Sequence, residues 1–365
     1  MSTIRVEVTT IDNVRLHGNA DNLELADVKG WQMGVPKGKY TNGDKVVYFE
    51  SGTVIPPELA ERLGIVNYLK SKTDINGDKV LVVDRTKLRG EPSFGLVIDL
   101  ADPEWPVGAD VADHYSAVKF FPPVKQSAGD ADVDHPMFLA YTDVENMRNF
   151  PAIFEEGELV EASLKIHGTN SRIGFVAENI GVPSVLETPD RRPMQYMAGS
   201  RTLRRKDPGI ANRAHNTYWM PLTLEPVQGL LEALYMNGHK QAILYGEVFG
   251  AGVQPGYDYA LKTPGFRAFD LMIDGKYVSR ERFYELLDAY GVLSCPIPYR
   301  GPFSLDAIRS VSEGDPLIGG SRGREGVVVR PMVERDTSQI GRCILKYVGN
   351  EFLFNKNNQQ DTTDQ

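Results

Sequence analysis

Residues 165–170 (Lys-Ile-His-Gly-Thr-Asn) carry the side chains best suited to chemistry in this chain. A lysine followed two residues later by a polar or acidic side chain and then by glycine can attack a nucleotide phosphate through its amine. A free lysine has a pKa near ~10.4, so the site must lower that pKa by nearby positive charge and partial desolvation. Lys165 is therefore a candidate nucleophile for covalent nucleotidyl transfer. The plainer interpretation is a strand that ends in a turn.

The residues on either side would hold Lys165 in place. Residues 158–165 (ELVEASLK) have the pattern of a strand, Gly-Thr-Asn at 168–170 is turn chemistry, and residues 171–176 (SRIGFV) have the pattern of a returning strand. We therefore expect Lys165 at the mouth of a β-hairpin, where a rigid strand end leaves its side chain open to a ligand.

The composition limits the classes of protein to consider. The 365 residues are enough for two domains, and the 41% hydrophobic and 24% charged contents are ordinary for globular proteins. No apolar run approaches the ~20 residues that span a bilayer, and the N-terminus lacks a signal-peptide core, so no membrane partner is expected. The two cysteines, Cys295 and Cys343, offer neither metal spacing nor a disulfide framework, which predicts a cytoplasmic protein.

The net charge of −9 argues against a general nucleic-acid coating protein, although local basic patches can still bind phosphates. The strongest patch is formed by Arg201, Arg204, Arg205 and Lys206, with Arg191 and Arg192 nearby. A solvated loop is the alternative for its outer residues.

The chain is predicted to form two domains. Residues 1–124 contain about five short strands and one helix at 57–63, which favours a small barrel of the OB type that binds nucleic acid. A scaffold that only supports the second domain is the alternative. The predicted strands are 4–10, 23–28, 45–50, 79–84 and 94–100.

Residues 125–136 are predicted to be a linker, because 126–135 are rich in Gly, Ala and Asp with little to bury. The second domain, 137–354, mixes strands with amphipathic helices that end at Gly238 and Gly291. The polar tail 355–365 is predicted to be disordered.

Further blocks follow the lysine motif in the order found in the covalent nucleotidyltransferases, the superfamily of polynucleotide ligases and capping enzymes. Their order and spacing resemble the RNA ligases most, since the His-Gly-Thr-Asn form is similar to the RNA-editing and bacteriophage nick-sealing enzymes. A domain in front of the lysine motif resembles bacterial RNA ligases with an N-terminal OB-like module. The blocks are Ser200-Arg201, residues 245–250 (YGEVFG), 266–271 (FRAFDL), 325–330 (EGVVVR) and 344–347 (ILKY).

The resemblance implies an α+β chain: an N-terminal OB-like β-barrel followed by a nucleotidyltransferase (ATP-grasp-like ligase) domain of antiparallel sheets flanked by helices. It implies that Lys165 attacks the α-phosphate of ATP and that Glu325 holds Mg²⁺ or Mn²⁺. Glu247 would bind the ribose or a metal-bound water, Phe269 would stack on adenine in competition with Phe266, and Arg201 would bind a phosphate. The implied nucleotide-binding set is Ile166, His167, Asn170, Arg201, Glu247, Phe269 and Lys346.

The last block departs from the pattern. Many nick-sealing RNA ligases have Lys-x-Lys there, whereas this chain has Lys346 followed by Tyr347 and Val348. One positive charge near the triphosphate is missing or comes from elsewhere, and Arg330 and Arg342 are the candidates.

The resemblance implies an ATP-dependent RNA ligase that joins 3′-hydroxyl and 5′-phosphate ends through lysine–AMP. Its partner would be RNA, or a nicked duplex that contains RNA, and the protein would be a monomer in the cytoplasm of a bacterial cell or a phage-infected host. Two alternatives stay open: a capping-type guanylyltransferase that uses GTP, and a non-catalytic RNA-binding protein with a decayed transferase domain.

Overall fold

The computed structural model describes residues 4–123, 129–177, 194–254, 257 and 259–354. It divides into two compact units, Met1–Gln126 and Ser127–Gln365. The predicted tail 355–365 lies outside the described residues, and so do Arg191 and Arg192 of the predicted basic patch. Within the described ranges, no helix combines the length and the apolar character that crossing a bilayer requires.

The first unit consists of short strands around two apolar cores. Each of the five predicted strands contains an observed strand, and the predicted helix at 57–63 is α1. One core gathers around Val8, Val47 and Phe49, and the other around Met33 and Val46. The elements are β1 (Val6–Thr10), β2 (Asn13–Leu16), β3 (Leu23–Val28), β4 (Trp31–Pro36), β5 (Lys45–Phe49), β6 (Thr53–Ile55), α1 (Pro57–Arg62), β7 (Lys70–Thr73), β8 (Lys79–Val82), β9 (Thr86–Leu88), β10 (Glu91–Ser93), β11 (Leu96–Ile98) and β12 (Val118–Lys119).

The strands of this unit form sheets in the orders β1-β5-β11, β2-β3-β4 and β12-β6-β8-β7, with β9 and β10 as a separate pair. The sequence does not predict the hairpin of β3 and β4. Its turn is Lys29-Gly30, with φ of 54° and 75°, and a two-residue turn with two positive φ angles matches the twist of a hairpin. Most of the other unpredicted strands have only two to four residues, too few for an alternating pattern.

The second unit holds the lysine motif. Its two predicted helices are α2 and α3, and α3 ends at Gly291 in the left-handed conformation, as predicted. The elements are β13 (Glu145–Asn146), β14 (Leu159–Lys165), β15 (Thr169–Ala177), β16 (Met194–Gly199), β17 (Arg204–Arg205), α2 (Glu225–Met236), β18 (Gln241–Phe249), β19 (Gly265–Ile273), β20 (Lys276–Tyr277), α3 (Arg280–Tyr290), β21 (Tyr299–Pro302), α4 (Leu305–Val311), β22 (Gly326–Pro331), β23 (Asp336–Thr337), β24 (Gly341–Arg342), β25 (Leu345–Val348) and α5 (Asn350–Phe354).

Two sheets form the body of this unit. The six-stranded sheet has the order β17-β16-β15-β18-β19-β20, and the five-stranded sheet has the order β13-β25-β22-β14-β21. All neighbours are antiparallel except β13 and β25, which are parallel. Helices α2 and α3 cover one face of the larger sheet, and α4 packs on the smaller one. The remaining faces share apolar clusters, in which Leu164 meets Phe249 and Ile344 meets Ile243, so the sheets pack against each other.

The predicted hairpin around the lysine motif is wrong. Strand β14 pairs with β21 and β22, whereas β15 pairs with β16 and β18, so the two strands belong to different sheets. Lys165 lies opposite Gly326, and Asn170 lies opposite Glu247. The intervening residues carry the chain from one sheet to the other, because each strand finds a longer partner elsewhere than in its neighbour along the chain.

The segment predicted as a linker differs from that expectation in its described part. Ala131 forms a β-bridge with Arg205 of the second unit. Asp130 and Asp132 form ion pairs with Arg205 and Arg204 at 2.6 Å each. The carboxylates that make the segment polar are thus bound to arginines. These ion pairs hold residues 129–132 against β17, within the second unit.

Candidate active site

The junction between the two sheets fixes the lysine motif in place. A Cβ atom on Gly168 would lie 2.3 Å from the carbonyl oxygen of Val248 and 2.9 Å from Cγ of Glu247. Neither distance is sterically possible, so only glycine fits at this crossing. The backbone N–H of His167 donates to Tyr259 Oη at 2.8 Å, which holds the junction from the other side.

Lys165 lies next to an acidic partner from the neighbouring strand. Its Nζ donates a short hydrogen bond to Glu325 Oε1, and Nδ1 of His167 lies 3.4 Å from Glu325 Oε2. The side chains of Lys165 and Glu325 are 15% and 9% exposed. Burial alone would raise the pKa of Glu325, but Lys165 and His167 outweigh it and hold that pKa below its ordinary value. The strand pairing therefore delivers an ionised carboxylate to the lysine amine.

A cavity between the two sheets, the inter-sheet cavity, brings together most of the predicted site. Seven of the nine predicted residues line it among the residues that the structure describes: Lys165, Ile166, Asn170, Arg201, Glu247, Phe269 and Lys346. Arg330, a candidate for the missing positive charge, lines it too, and the lining residues that the sequence did not predict are Tyr141, Thr142, Val144, Ser163, Leu164 and Val328.

The other two predicted residues, His167 and Glu325, lie behind Lys165. The ring of His167 packs against Tyr257 at 4.4 Å and Phe352 at 5.6 Å between centroids. His167 thus contacts Glu325 and packs within the junction, and its implied contact with the nucleotide stays a prediction.

Two aromatic rings form an apolar corner of the inter-sheet cavity. Phe269 is partly buried and packs edge-on against Tyr141, with 5.0 Å between centroids and 63° between ring planes. Its competitor Phe266 is 6% exposed and belongs to the core beneath α2 and α3. Residues three apart on a strand point to opposite faces, which is why only one of the two phenylalanines reaches the cavity. A planar base would find its stacking surface at Phe269.

A buried ionic network lies behind this corner. Asp270 Oδ2 accepts hydrogen bonds from Tyr141 Oη at 2.8 Å, Arg330 Nη1 at 3.0 Å and Arg342 Nη1 at 2.6 Å. Burial raises the pKa of Tyr141, so its hydroxyl stays protonated and donates. Asp270 thereby fixes two residues that line the cavity, Tyr141 and Arg330.

The same network bears on the missing second lysine. Arg342 is bound by Asp270 and Glu334 and lies 3.7 Å from the ring centroid of Tyr277, outside the described lining of the cavity. Arg330 does line the cavity, but its guanidinium is bound to Asp270. Of the two candidates, only Arg330 is placed to add positive charge there.

Val348 takes the position of the second lysine because of packing. Val348 is 9% exposed and belongs to an apolar cluster with Leu164, Ile166 and Phe352. A charged side chain in that cluster would lose its hydration without gaining a partner, which is costly. Where the Lys-x-Lys pattern has its second lysine, this chain therefore has an apolar side chain that joins β25, β14 and α5.

The polar groups fit a nucleotide and a divalent cation. Asn170 Oδ1 is buried and has no hydrogen-bond partner among the described residues, and Glu325 Oε2 is buried with Nδ1 of His167 at 3.4 Å. Buried acceptors with so few partners are rare in native proteins, and a ligand hydroxyl or a hydrated cation would satisfy them. No group of three or more His, Cys, Asp or Glu side chains placed to hold a metal ion occurs in the described ranges. Mg²⁺ beside substrate phosphates needs only one or two carboxylates, so Glu325 suffices.

Arg201 and Lys346 place positive charge at the same cavity. Arg201 Nη1 pairs with Asp143 Oδ1 at 2.9 Å, and both side chains are about half exposed, at 44% and 50%. Such an exposed pair is weak and can exchange its carboxylate for a phosphate. Lys346 lies in β25 opposite Val328, on the five-stranded sheet that also carries Lys165.

Replacing Glu325 by glutamine is expected to reduce covalent labelling of Lys165 by ATP at least ~100-fold. The amide keeps the shape but removes the negative charge between Lys165 and His167, and with it the carboxylate that fits a cation. Label that stays on the protein in denaturing electrophoresis, per mole of folded protein, is the measurement, with Glu281→Gln on the exposed side of α3 as the matched control. Near-normal labelling of Glu325→Gln would contradict the assignment.

Comparisons with known proteins identify the family of this chain and the fold that it shares with solved structures. The profile of the RNA ligase family matches residues 158–348, just over half of the chain, and an OB-fold domain profile matches residues 5–100. No curated protein matches significantly.

Solved structures of a Naegleria gruberi RNA ligase share the fold along the whole chain. Its complex with pyrophosphate is 22% identical, with a TM-score of 0.66, and the match covers 95% of this chain and 97% of that one. A lysine-to-methionine variant with AMP and manganese is 21% identical, with a TM-score of 0.68 and coverage of 97% and 99%. A lysine-to-alanine variant with ATP and manganese is also 21% identical, with a TM-score of 0.67 and coverage of 95% and 98%.

These matches confirm the predicted α+β fold with an N-terminal OB-fold domain followed by a sheet-rich ligase domain with few helices. The family profile spans the lysine motif, Lys346 and the lining of the inter-sheet cavity other than Tyr141, Thr142 and Val144. The chain belongs to the RNA ligase family.

Proposed function

We propose that this RNA ligase uses ATP and joins a 3′-hydroxyl to a 5′-phosphate through an AMP adduct on Lys165. The observation that carries the proposal is the placement of Lys165, which lines the inter-sheet cavity while its Nζ donates to the ionised Glu325. The Naegleria gruberi enzyme, which has the same fold, has been solved with ATP, with AMP and with manganese. An RNA ligase acts on RNA, so the partner is an RNA end.

The first step forms a phosphoramidate. Nζ of Lys165 attacks the α-phosphorus of ATP, the bond to the bridging oxygen breaks, and pyrophosphate leaves. The amine must release a proton, and Glu325 Oε1 is the acceptor in hydrogen-bonding contact with it. When bound, Mg²⁺ or Mn²⁺ would neutralise charge on the triphosphate. The protein residues orient the nucleotide and hold the nucleophile against it.

The lining residues divide by chemistry among the parts of ATP. Phe269 offers a ring face to adenine, beside Tyr141. Asn170 and Glu247 lie opposite each other on β15 and β18, where their oxygens can accept hydrogen bonds from the ribose hydroxyls. Arg201 and Lys346 supply positive charge for the phosphates.

Two further transfers complete the reaction. An oxygen of the RNA 5′-phosphate attacks the AMP phosphorus, the bond to Lys165 breaks, and the lysine recovers its amine. The 3′-hydroxyl then attacks the 5′-phosphorus, a phosphodiester forms and AMP leaves. In both steps negative charge develops on phosphate oxygens. The positive side chains of Lys346 and Arg201 would stabilise that charge.

The finer points of the proposal concern the substrate and the setting. We propose a nicked duplex with RNA at the 3′-hydroxyl end, a monomeric enzyme and a cytoplasmic location. The OB-fold unit is proposed to bind the nucleic acid, because such barrels present a strand face for stacking and phosphate contacts. Fluorescence anisotropy of labelled nicked RNA with residues 1–126 alone tests that role, and absence of binding by the folded unit would remove it.

Incubation with α-labelled ATP and a divalent cation is expected to label the protein covalently, whereas α-labelled GTP is expected to label it at least ~10-fold less. Electrophoresis after acid precipitation measures the adduct. Preferred labelling by GTP would instead support a guanylyltransferase, and no label from either would support a non-catalytic protein.

The substrate is tested separately with the labelled enzyme. Nicked duplexes with RNA or DNA at the 3′-hydroxyl end, and single strands of the same sequences, are compared for release of AMP and formation of a joined product. The proposal requires the nicked duplex with a 3′-terminal ribonucleotide to be sealed fastest, and faster joining of single strands would overturn it.

A further inference from the structure

A second cavity in the ligase unit lies beside the hairpin of β16 and β17, and we call it the hairpin cavity. Met194, Tyr196, Arg204 and Arg205 belong to its wall, together with Arg213 and Trp219 from the segment before α2. The turn between the same two strands carries Arg201, which lines the inter-sheet cavity. One hairpin therefore connects the reacting centre with a second concave site.

Three arginines in this region are held by more exposed aspartates. Arg204 pairs with Asp132 and Arg205 pairs with Asp130, each at 2.6 Å. The three arginine side chains are 13–17% exposed and the three aspartates 29–41%. The third pair joins Arg213 to Asp207, and Arg213 holds the pKa of that carboxyl below its ordinary value.

Arginines that are more buried than their carboxylate partners are arranged as in an anion-binding site. The guanidinium groups are fixed on the inner side, and the carboxylates lie on the solvent side. Ion pairs with exposed carboxylates contribute little net free energy, so a phosphate can replace the aspartates at small cost. Arginine also suits phosphate better than lysine does, because its planar fork donates two parallel hydrogen bonds.

Two of the three arginines lie beside aromatic rings. The Arg213 guanidinium lies 5.0 Å from the ring of Trp219, and that of Arg205 lies 4.7 Å from the ring of Tyr218. Trp219 is 2% exposed, and its Nε1, like Nε of Arg205, is buried without an acceptor among the described residues. Two buried donors of this kind in neighbouring residues are unusual for a native protein.

We infer that the hairpin cavity binds a nucleotide of the RNA strand near its reacting end, with its phosphate on the arginines. This rests on the proposed function, which brings an RNA end to the inter-sheet cavity. Phosphates combined with flat, stackable bases match arginine beside aromatic rings.

The test uses the full-length protein and a nicked RNA duplex that lacks the 3′-hydroxyl at the nick, so that binding is measured without joining. The double variant Arg204→Gln, Arg213→Gln is expected to bind about tenfold more weakly by fluorescence anisotropy. The slope of log K against log salt concentration is expected to become less negative by about 0.9 per lost phosphate contact on a duplex. Labelling by ATP should stay unchanged, because neither arginine lines the inter-sheet cavity in the described structure. Arg282→Gln, an exposed paired arginine on α3, is the matched control.

A second pair of variants acts in the opposite direction. Asp132→Asn and Asp207→Asn remove the competing carboxylates but keep the arginines, so they are expected to tighten RNA binding about threefold. Glu285→Gln, the partner of the control arginine, corrects for the general change in charge. A merely structural role of these ion pairs would weaken binding in both sets of variants.

The outcomes separate this inference from the proposed function. Arginine variants that bind RNA like the wild type, or aspartate variants that weaken binding, would overturn the hairpin site alone. If the arginine variants do not fold, the sign of the aspartate effect decides. Failure of the wild type to take up label from ATP would instead overturn the proposed function, and anisotropy would still report on the hairpin cavity.

Discussion

Replacing Lys165 by alanine is expected to abolish covalent labelling by ATP, with a loss of at least ~10³-fold. The variant removes the amine whose Nζ contacts Glu325 at the junction of the two sheets. The fold should persist, because the side chain lies at a strand end and its removal opens space only into the cavity. Label that stays on the protein in denaturing electrophoresis, per mole of folded protein, is the measurement, and Lys276→Ala, an exposed lysine in β20, is the control.

A second substrate distinguishes loss of the nucleophile from loss of the site. A nicked duplex that already carries AMP on its 5′-phosphate no longer needs the amine of Lys165. The alanine variant should therefore still seal it at a measurable rate, while it fails with ATP and the ordinary nick. Label on the alanine variant would refute the assignment of the nucleophile.

Replacing Asp270 by alanine is expected to lower the free energy of unfolding of the ligase unit by about 3–5 kcal/mol. The carboxylate is 0% exposed and accepts hydrogen bonds from Tyr141, Arg330 and Arg342. Its removal leaves two buried guanidinium groups without that partner. Urea unfolding followed by Trp219 fluorescence measures the effect, in a background with the other two tryptophans, Trp31 and Trp105, replaced by phenylalanine.

The effect of Asp270 should depend on pH in a definite direction. Burial alone would raise its pKa, but Arg330, Arg342 and Arg280 outweigh burial and hold the pKa below its ordinary value. Its stabilisation is therefore present above the unfolded-state pKa of ~3.9 and is lost as the pH falls below it. The difference between wild type and Asp270→Ala should shrink by about 1.4 kcal/mol per pH unit below that point. A difference that stays constant down to pH ~3, or an exposed-site control, Asp288→Ala, that behaves in the same way, would contradict this origin.

The sequence predicts which side chains meet but not how the strands connect them. The types and order of Lys165, Glu247, Phe269 and Lys346 were enough to predict a shared site, and all four line one cavity. The predicted hairpin was wrong because alternation of apolar residues identifies a strand without identifying its partner. The partner of β14 is β22, more than 160 residues further along the chain.

The site residues that were not predicted also depend on contacts between distant parts of the sequence. Tyr141 lies in a segment with no motif and reaches the cavity because Asp270, 129 residues later, accepts its hydroxyl hydrogen. The fate of Arg342 likewise depends on Asp270 and could not be deduced from its place near the last block. The sequence could have shown that only one of Phe266 and Phe269 reaches the cavity. Residues three apart on a strand point to opposite faces, so once one of them is assigned to the core, the other faces the cavity.

The Asp270 network has a consequence for the time at which the enzyme becomes active during its synthesis. Arg342 follows Asp270 by 72 residues and lies in β24, shortly before β25, the strand of the five-stranded sheet that carries Lys346. Ribosomes add about 5–20 residues per second, so Asp270 waits roughly 4–14 s for this partner. During that interval Lys346 is also absent, and the second wall of the inter-sheet cavity cannot close. We expect that a nascent chain which already displays Lys165 cannot take up AMP until the strand with Lys346 has left the ribosome.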